Sequence, residues 1–442
     1  MYFENYQVEV RDRVKCISAS EGVPVSTQWD STGYNYATQI AQFGLSHYSK
    51  NLTEPEPSRK VIEDGEVNQA AWQIPKDSTI IRTTINNRQS TVVNFTTTNQ
   101  FDSAISIALD HVLDLLMSVD INFRSNSSLM VTMQSRETQQ LFFLHYIVAD
   151  FAINVQDSNI YHGIGTSSSG MWKHLARDLF VDVQKGVSAL FTDRKRKMRR
   201  SELKVVKIAF LGSGSFDNLT LSTSEHLTHF YDAAEWFVKH QNQSSGGWEI
   251  PVKRKLGQGF AELSRGWLSS MAQGHGISLL ARAYYHSGGN KKYLNAAINA
   301  LKPFRVPSAQ GGVLAKFMGK YHWYEEYPTT PASFVLNGFI YSLLGLYDLH
   351  QIAPKSKEAG LLFDQGMVSL KKMLTLYDMG SGTSYDLRHF TLGIAPNIAR
   401  WDYHVTHVNQ LLLLATIDDD LIFSQTAERW RGYMNGKRAM HN

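Results

Sequence analysis

Apolar positions along the chain change their period near residue 220. Between Thr79 and Asp217 they alternate with polar ones in short runs rich in β-branched and aromatic side chains. Thr79–Ile85, Thr91–Thr97, Leu129–Gln134 and Leu141–Val148 are examples. A period of two turns one face of an extended strand into a core, so repeated runs parted by polar turns predict a sandwich or barrel. From Ser224 the period becomes helical. Helices are expected over 224–242, 266–286, 291–303, 333–351, 356–376, 404–417 and 420–434, with glycine breaks at Gly246–Gly247, Gly288–Gly289, Gly311–Gly312 and Gly380–Gly382. Several of these helices are apolar on most faces, which suits helical hairpins packed in a ring, an α/α-barrel. Ahead of both patterns, Val8 and Val10 alternate with charged neighbours and Gly33 punctuates, predicting extended, hairpin-like structure. Residues 51–64, with Pro55, Pro57 and dense charge, read as a linker. The expected organisation is a multidomain β + α chain. It has an N-terminal β-hairpin segment (1–50), a β-barrel or sandwich domain (51–220) and a C-terminal α/α-barrel (221–442).

One stretch breaks its own pattern. In His322–Tyr347, Glu325 and Glu326 sit among Trp323, Tyr324 and Tyr327, and Pro328 and Pro331 close the segment. Proline lacks a backbone donor and fixes its φ, so the cluster is expected on a stiff loop feeding a helix. That helix (Phe334, Val335, Leu336, Phe339, Ile340, Leu343, Leu344, Leu346) is apolar almost all round, except that Asn337 and Tyr341, four apart, share one face. A polar stripe on a buried helix needs partners or a cavity, because an unpaired buried polar group costs about 1–3 kcal/mol.

Composition narrows the class. The 442 residues are 43% hydrophobic and 19% charged, as in a globular protein of more than one core. No apolar run approaches the roughly 20 residues of a membrane span, and the opening Met1–Asn5 does not resemble a signal peptide. The net charge of +4 is mild, yet Arg194, Lys195, Arg196, Lys197, Arg199 and Arg200 fall together and read as a solvated loop. Cys16 is the single cysteine, so no intrachain disulfide forms. Sequons at Asn51, Asn94, Asn126, Asn218 and Asn242 lean towards a secretory compartment, chance supplying about three at this composition.

A third cluster runs from Gly382 to His407. It holds Tyr385, Asp386, Arg388, His389, Asn397, Arg400, Trp401, Asp402, Tyr403 and His404. His404 and His407 are three apart on an expected helix, but a lone His-x-x-His without a second ligand pair argues weakly for zinc. Nucleophile-elbow, phosphate-loop and dinucleotide motifs are missing, so no organic cofactor is expected. What recurs is tyrosine beside arginine or glutamate, the equipment for a carboxylate-bearing sugar. Arginine forks a carboxylate, aromatic rings stack on pyranose faces, and glutamate or tyrosinate moves a proton.

Tyr2–Cys16 (YFENYQVEVRDRVKC), Gly44–Thr53 (GLSHYSKNLT), Trp323–Tyr347, Gly380–His389 and Gly393–His404 (GIAPNIARWDYH) closely resemble heparan sulfate (heparosan) D-glucuronyl C5-epimerases. The likeness is weakest over 54–130 and around 185–205. It implies a β-hairpin, a β-barrel or sandwich and an α/α-barrel, in a homodimeric glycoprotein of the Golgi lumen. The full-length form would be a type II membrane protein anchored by a segment ahead of Met1. The implied reaction inverts C5 of D-glucuronic acid to L-iduronic acid within heparosan or heparan sulfate precursor; the partner is this polysaccharide, not nucleic acid. The resemblance places Glu326, Tyr327, Tyr385 and Tyr403 at the reaction centre, with Glu326 and Tyr403 as the opposed pair. It assigns the flanking sugars to Tyr6, Arg11, Asp12, Arg13, Gln28, Tyr36, Gln39 and Gln42. Lys255, Gly257, Asn337, Tyr341, Arg388, Asn397, Arg400, Trp401 and His404 complete the cleft, Arg388 at the substrate carboxylate. It also implies a structural calcium ion at Asp217, with Glu63, Ser90 and Thr91 as aligned candidates.

Two other readings use the same residues. A uronate lyase takes the same C5 proton and then expels the C4 substituent, and a non-catalytic heparan-binding module would use the basic run and the tyrosines without chemistry.

Overall fold

In the computed structural model, which describes residues 1, 3–98, 103–124, 126–190 and 198–440, the chain divides into two units. One comprises Phe3–Tyr34 and Ser46–Ala233, the other Met1–Tyr2, Asn35–Leu45 and Ala234–Asn442. The segment 1–50, read from the sequence as one piece, is shared between them.

The first unit opens with β1 (Val14–Ile17) and β2 (Pro24–Ser26), paired antiparallel; then come β3 (Tyr34–Asn35) and helix α1 (Ala37–Thr53), whose residues up to Leu45 count with the second unit. A hairpin is found, but only from Val14 to Ser26: Val8–Val10, on which the extended reading rested, form a 3-10 turn with Val8 buried. Extended structure is not found for Gln39 and Gln42, which lie on α1. The supposed linker contains strand β4 (Arg59–Glu63). Then follow β5 (Thr79–Ile85), β6 (Ser90–Thr96), β7 (Ile105–His111), β8 (Leu116–Phe123), β9 (Ser128–Ser135), β10 (Leu141–Ile147), β11 (Asn154–Gln156), β12 (Asn159–Gly163) and β13 (Lys173–Asp178). Helix α2 (Leu179–Leu190) comes next, a helix the β pattern did not announce, and then β14 (Leu203–Leu211) and β15 (Ser213–Ser222).

Two sheets result, ordered β11-β12-β10-β9-β14-β7 and β13-β8-β15-β6-β5, with β4 also on β15. Alternation sends Leu129, Val131, Met133, Leu144, Ile208 and Phe210 from the first sheet into one core. Val93, Phe95, Val119, Ile121, Phe216 and Leu221 enter it from the second. Phe210 and Phe216 stack at its centre, ring centroids 4.0 Å apart. A core enclosed by two sheets is a sandwich, which decides between the two expected β architectures. Cys16 is fully buried, and burial pushes its thiol up to about 12. Arg194–Lys197 lie outside the described residues, while Arg199 pairs with Glu202 at 3.1 Å and Arg200 with Asp178.

Helix α3 (His226–Lys239) leads into the second unit. There follow α4 (Ser270–His286), α5 (Lys291–Asn299), a hairpin of β16 (Leu314–Phe317) and β17 (Tyr321–Tyr324), α6 (Leu336–Ile352), α7 (Lys357–Met373), the single turn α8 (Arg388–Thr391), α9 (Trp401–Leu414) and α10 (Leu421–Met434). Seven of the helices match expected ones within a few residues. The β16–β17 hairpin was not foreseen, and it puts His322–Tyr324 on a strand rather than the loop. Helices α4 and α6 pack most closely, because both are glycine at the crossing. A Cβ on Gly345 would lie 2.1 Å from the Gly274 carbonyl oxygen. Among the described residues no helix is long and apolar enough to cross a membrane.

Candidate active site

Where β17 ends, the chain turns under the start of α6, and two adjacent carboxylates take different jobs. Glu325 is fully buried. Its backbone is tied to Val313 O (2.7 Å) and receives Ser270 N–H (3.0 Å), and its carboxylate accepts from Ser333 Oγ (2.7 Å), Ser333 N (3.2 Å) and Phe334 N (3.0 Å). These bonds hold Phe334 at φ +54°, a left-handed conformation costing a bulky residue about 1–2 kcal/mol. Burial still pushes Glu325 up to about 7, the hydrogen bonds only partly offsetting it. Glu325 shapes the loop.

Glu326 is 5% exposed, and its Oε2 has no hydrogen-bond partner among the described residues. The carboxyl lies against α6 at Gly338, where a Cβ would come within 2.3 Å of Oε2. Glycine is required there by this close approach. Burial pushes Glu326 up to about 7; a hydrogen bond from Tyr327 and the charge of Arg254 pull it down, and Glu325 pushes it further up. Such a carboxyl exists in both protonation states near neutral pH.

Phenols surround it. Burial, and then the Glu326 charge, drive Tyr327 and Tyr385 well above the ordinary phenol value, and the two are linked by a hydrogen bond. Tyr36 and Tyr403 add to the same electrostatic cluster. The rings of Tyr385 and Tyr403 meet edge to face with centroids 4.8 Å apart. The Arg400 guanidinium lies 5.3 Å from the Tyr403 ring centre, and Arg254 5.8 Å from that of Tyr327. Tyr327 and Tyr385 are thus phenols held protonated.

Beside the cluster, Arg388 is bonded to Asp386. Its Nε reaches Asp386 Oδ1 at 2.8 Å and Nη2 reaches Oδ2 at 2.7 Å, while Asn397 Nδ2 donates to the same oxygen at 3.0 Å. Nη1 and the second N–H of Nη2 are left, Nη1 facing Gly257, where a Cβ would lie 3.5 Å from it. Asn337 and Tyr341 do share a face of α6: Asn337 is buried with Oδ1 unpartnered among the described residues, and the Tyr341 ring is 4.6 Å from that of His275. Arg400 and Trp401 are exposed, as is Lys255, which donates to Phe260 O.

Residues 241–432 match the family described as D-glucuronyl C5-epimerase C-terminus, and 89–213 the one described as D-glucuronyl C5-epimerase, beta-sandwich domain. Over its whole length the chain is 41% identical to a Caenorhabditis elegans protein named D-glucuronyl C5-epimerase, covering 79% of it. The chain belongs to the D-glucuronyl C5-epimerase family. It is an isomerase acting at C5 of D-glucuronyl units. An uncharacterized Methanocaldococcus jannaschii protein is 32% identical over 38% of this chain and 53% of its own length. A family 11 carbohydrate-binding module from a Clostridium thermocellum cellulase overlays 38% of this chain and 95% of the module, at 13% identity. The TM-score of 0.21 is too low to relate the two.

The epimerase-derived residue set is brought together in part. Glu326, Tyr327, Tyr385, Tyr403 and Tyr36 form one cluster; Gln39 and Gln42 belong to the same unit, buried on α1. Tyr6, Arg11, Asp12, Arg13 and Gln28 belong to the sandwich unit, where Arg11 lies over the Tyr6 ring at 4.8 Å. His404 departs from its expected place at a sugar. It is buried, and both ring nitrogens are engaged, Nδ1 with Thr383 Oγ1 and Nε2 with Trp430 O, each at 2.9 Å. Tyr385 does not share a helical turn with Arg388. It precedes α8, and its backbone N–H donates to Asn397 O at 2.7 Å. Gly338 and Thr383 were missed; a glycine inside an otherwise apolar helix was the available signal for the first.

The proposed calcium set does not fit as a set. Glu63 is fully buried and closed by Arg82 Nη2 (2.7 Å), Trp72 Nε1 (2.9 Å), Ala70 N (2.9 Å) and Gly65 N (3.0 Å). Asp217 and Ser90 fit better: Ser90 Oγ donates to Asp217 Oδ2 at 2.7 Å and lies 3.3 Å from Glu66 Oε1. The Thr91 side chain bonds Thr84 (3.0 Å), and its backbone N–H donates to Glu66. Burial raises Asp217, and the charges of Glu66 and Asp120 raise it further, a shortage of positive charge that a divalent ion would relieve. Among the described residues no three acidic, histidine or cysteine side chains converge to hold a metal.

Proposed function

We propose that the chain converts D-glucuronic acid residues within heparosan and its N-sulfated derivative to L-iduronic acid. The observation that carries this reading is Glu326, a carboxyl brought near neutrality and left without a full set of partners among phenols that stay protonated.

The C5 proton is α to a carboxylate, and its removal leaves an enediolate dianion. That charge must be met by donors already in place before a base as mild as glutamate suffices. Tyr327 and Tyr385 are such donors because their hydroxyls keep their protons. Ionised Glu326 takes the C5 proton; the Tyr403 hydroxyl gives its own to the opposite face, and the phenolate left behind is adjacent to the Arg400 guanidinium. Exchange with solvent then resets the pair. Arg388, oriented on Asp386 through Nε and one N–H of Nη2, keeps Nη1 and the other Nη2 N–H for the substrate carboxylate. Trp401, 60% exposed beside Tyr403, offers a flat surface to a neighbouring pyranose.

The polymer-level details belong to this same reading: an α/α-barrel arrangement of the helices, a homodimer, the flanking-sugar residues of the sandwich unit, and a glycoprotein working in the Golgi lumen from a membrane anchor. So does calcium, held for structure by Asp217 and Ser90 with Glu66 in place of Glu63. The deciding experiment is incubation with N-sulfated heparosan in D₂O. Deuterium at C5 of an intact polymer, with iduronyl units appearing, is the expected result. An unsaturated product absorbing in the ultraviolet would mean a lyase, and binding without exchange a carbohydrate-binding module.

A further inference from the structure

Tyr385 lies on an irregular loop and Tyr403 on α9, so their approach depends on whatever joins those segments. The join is Thr383. Its hydroxyl lies 2.9 Å from His404 Nδ1 and 2.9 Å from His407 Nδ1, and all three side chains are buried. His404 Nε2 reaches Trp430 O on α10 at 2.9 Å. With His404 neutral, this chain of bonds has one direction. A carbonyl oxygen only accepts, so His404 carries its hydrogen on Nε2, and in the neutral ring Nδ1 must accept. Thr383 therefore donates to His404, and its remaining lone pair takes the Nδ1–H of His407. His407 Nε2 is then a bare acceptor, consistent with its having no partner among the described residues and with burial holding the ring neutral, down to about 3.

The same join is braced from outside. Thr383 O accepts Ala399 N–H at 2.8 Å, just ahead of α9. Asp378, at the other end of the loop, accepts from Arg429 Nε (2.6 Å), Trp430 Nε1 (3.2 Å) and Tyr433 Oη (2.8 Å), all on α10. The Thr383 hydroxyl, two residues before Tyr385, thus ties the loop to α9, and His404 carries the tie on to α10.

We infer that Thr383 is a positioning residue for catalysis, its hydroxyl setting the approach of Tyr385 to Tyr403 through the His404–His407 pair. The inference rests on the reading that Tyr403 gives a proton to the substrate while Tyr385 meets the charge of the intermediate. Val at 383 keeps the shape and removes the bridge; Ser keeps the bridge and loses only a methyl. Thr383→Val should lower kcat for C5 exchange by about tenfold or more with KM within about twofold, and Thr383→Ser should restore kcat to within about threefold of the parent.

Loss of a buried hydrogen bond also destabilises, so a matched control is needed. Gln241, whose amide donates to Gly246 O (3.1 Å) and Ala296 O (2.8 Å), supplies it as Gln241→Leu. All variants are assayed at a temperature where circular dichroism shows them folded. Equal kcat losses in Thr383→Val and Gln241→Leu, failure of Ser to rescue, or unchanged kcat in Thr383→Val would each overturn the inference. Tyr403→Phe separates the two levels. If it keeps full exchange, the tyrosine reading itself falls; if it loses exchange while Thr383→Val does not, only the positioning role is wrong.

Discussion

Two buried tyrosine–carboxylate clusters, one in each unit, end in opposite electrostatic states. In the sandwich, Asp182 receives Arg177 Nε at 2.9 Å, Arg177 Nη2 at 2.5 Å and Tyr146 Oη at 2.6 Å. The Arg177 charge and these bonds outweigh burial and hold Asp182 below its ordinary value. In the helical unit Glu326 is as deeply buried, but the charge of Arg254 offsets burial only in part, and the carboxyl rises to about 7. Burial alone therefore does not mark a reactive acid. A carboxylate whose lone pairs are all taken by a guanidinium fork is cross-linking; one left with an open oxygen near neutrality is able to trade protons.

The contrast breaks most severely at Arg177. Arg177→Met leaves Asp182 buried without its cation, which should cost about 3–5 kcal/mol of stability. Denaturant unfolding would measure it, and a loss below about 1 kcal/mol would mean that the sandwich cluster is not held by its ion pair. At Glu326 the same kind of change should hit turnover instead. Glu326→Gln is expected to lower C5 exchange by about 10²–10⁴-fold, the usual contribution of a general acid–base group, without loss of folded protein. Near-normal deuterium incorporation would remove Glu326 from the mechanism. The smallest effect sharpens the comparison through pH. Because the folded-state value of Glu326 lies above the unfolded one near 4.5, its contribution is full below about pH 4.5 and drains away as pH rises through about 7. The upper bound is about 3 kcal/mol. Melting temperatures between pH 5 and pH 8 should therefore fall more steeply for the parent than for Glu326→Gln; parallel curves would contradict the raised value.

Much of the architecture was legible because periodicity is a local property. The strands at 79–85 and 141–147 and the helices from 270 onwards carry their burial in their own spacing. Helix α1 does not: Gln39 and Gln42 are polar yet buried, so its core-facing side reads as polar until its neighbours are known. Helix α2 fails for the opposite reason, with Phe180, Val181, Val183 and Val187 mimicking a strand beside real ones. At the site, the residue types around Glu326 and Tyr403 announced sugar-acid chemistry. Their separate roles could not be read, since the difference between Glu325 and Glu326 lies in Ser333, Phe334 and Gly338, partners that only folding brings within reach. The occupied nitrogens of His404 and the bond of Arg388 to Asp386 were hidden for the same reason.

The lone thiol leads somewhere else. Cys16 has no partner for a disulfide anywhere in the chain, and its sulfur is sealed in the sandwich unit with its ionisation suppressed. A thiol that is neither accessible nor ionised hardly reacts with oxidised glutathione or peroxide. The folded state is therefore indifferent to the thiol–disulfide poise around it. The same molecule can be made in a reducing or an oxidising milieu without covalent scrambling or any isomerase for cysteine pairing.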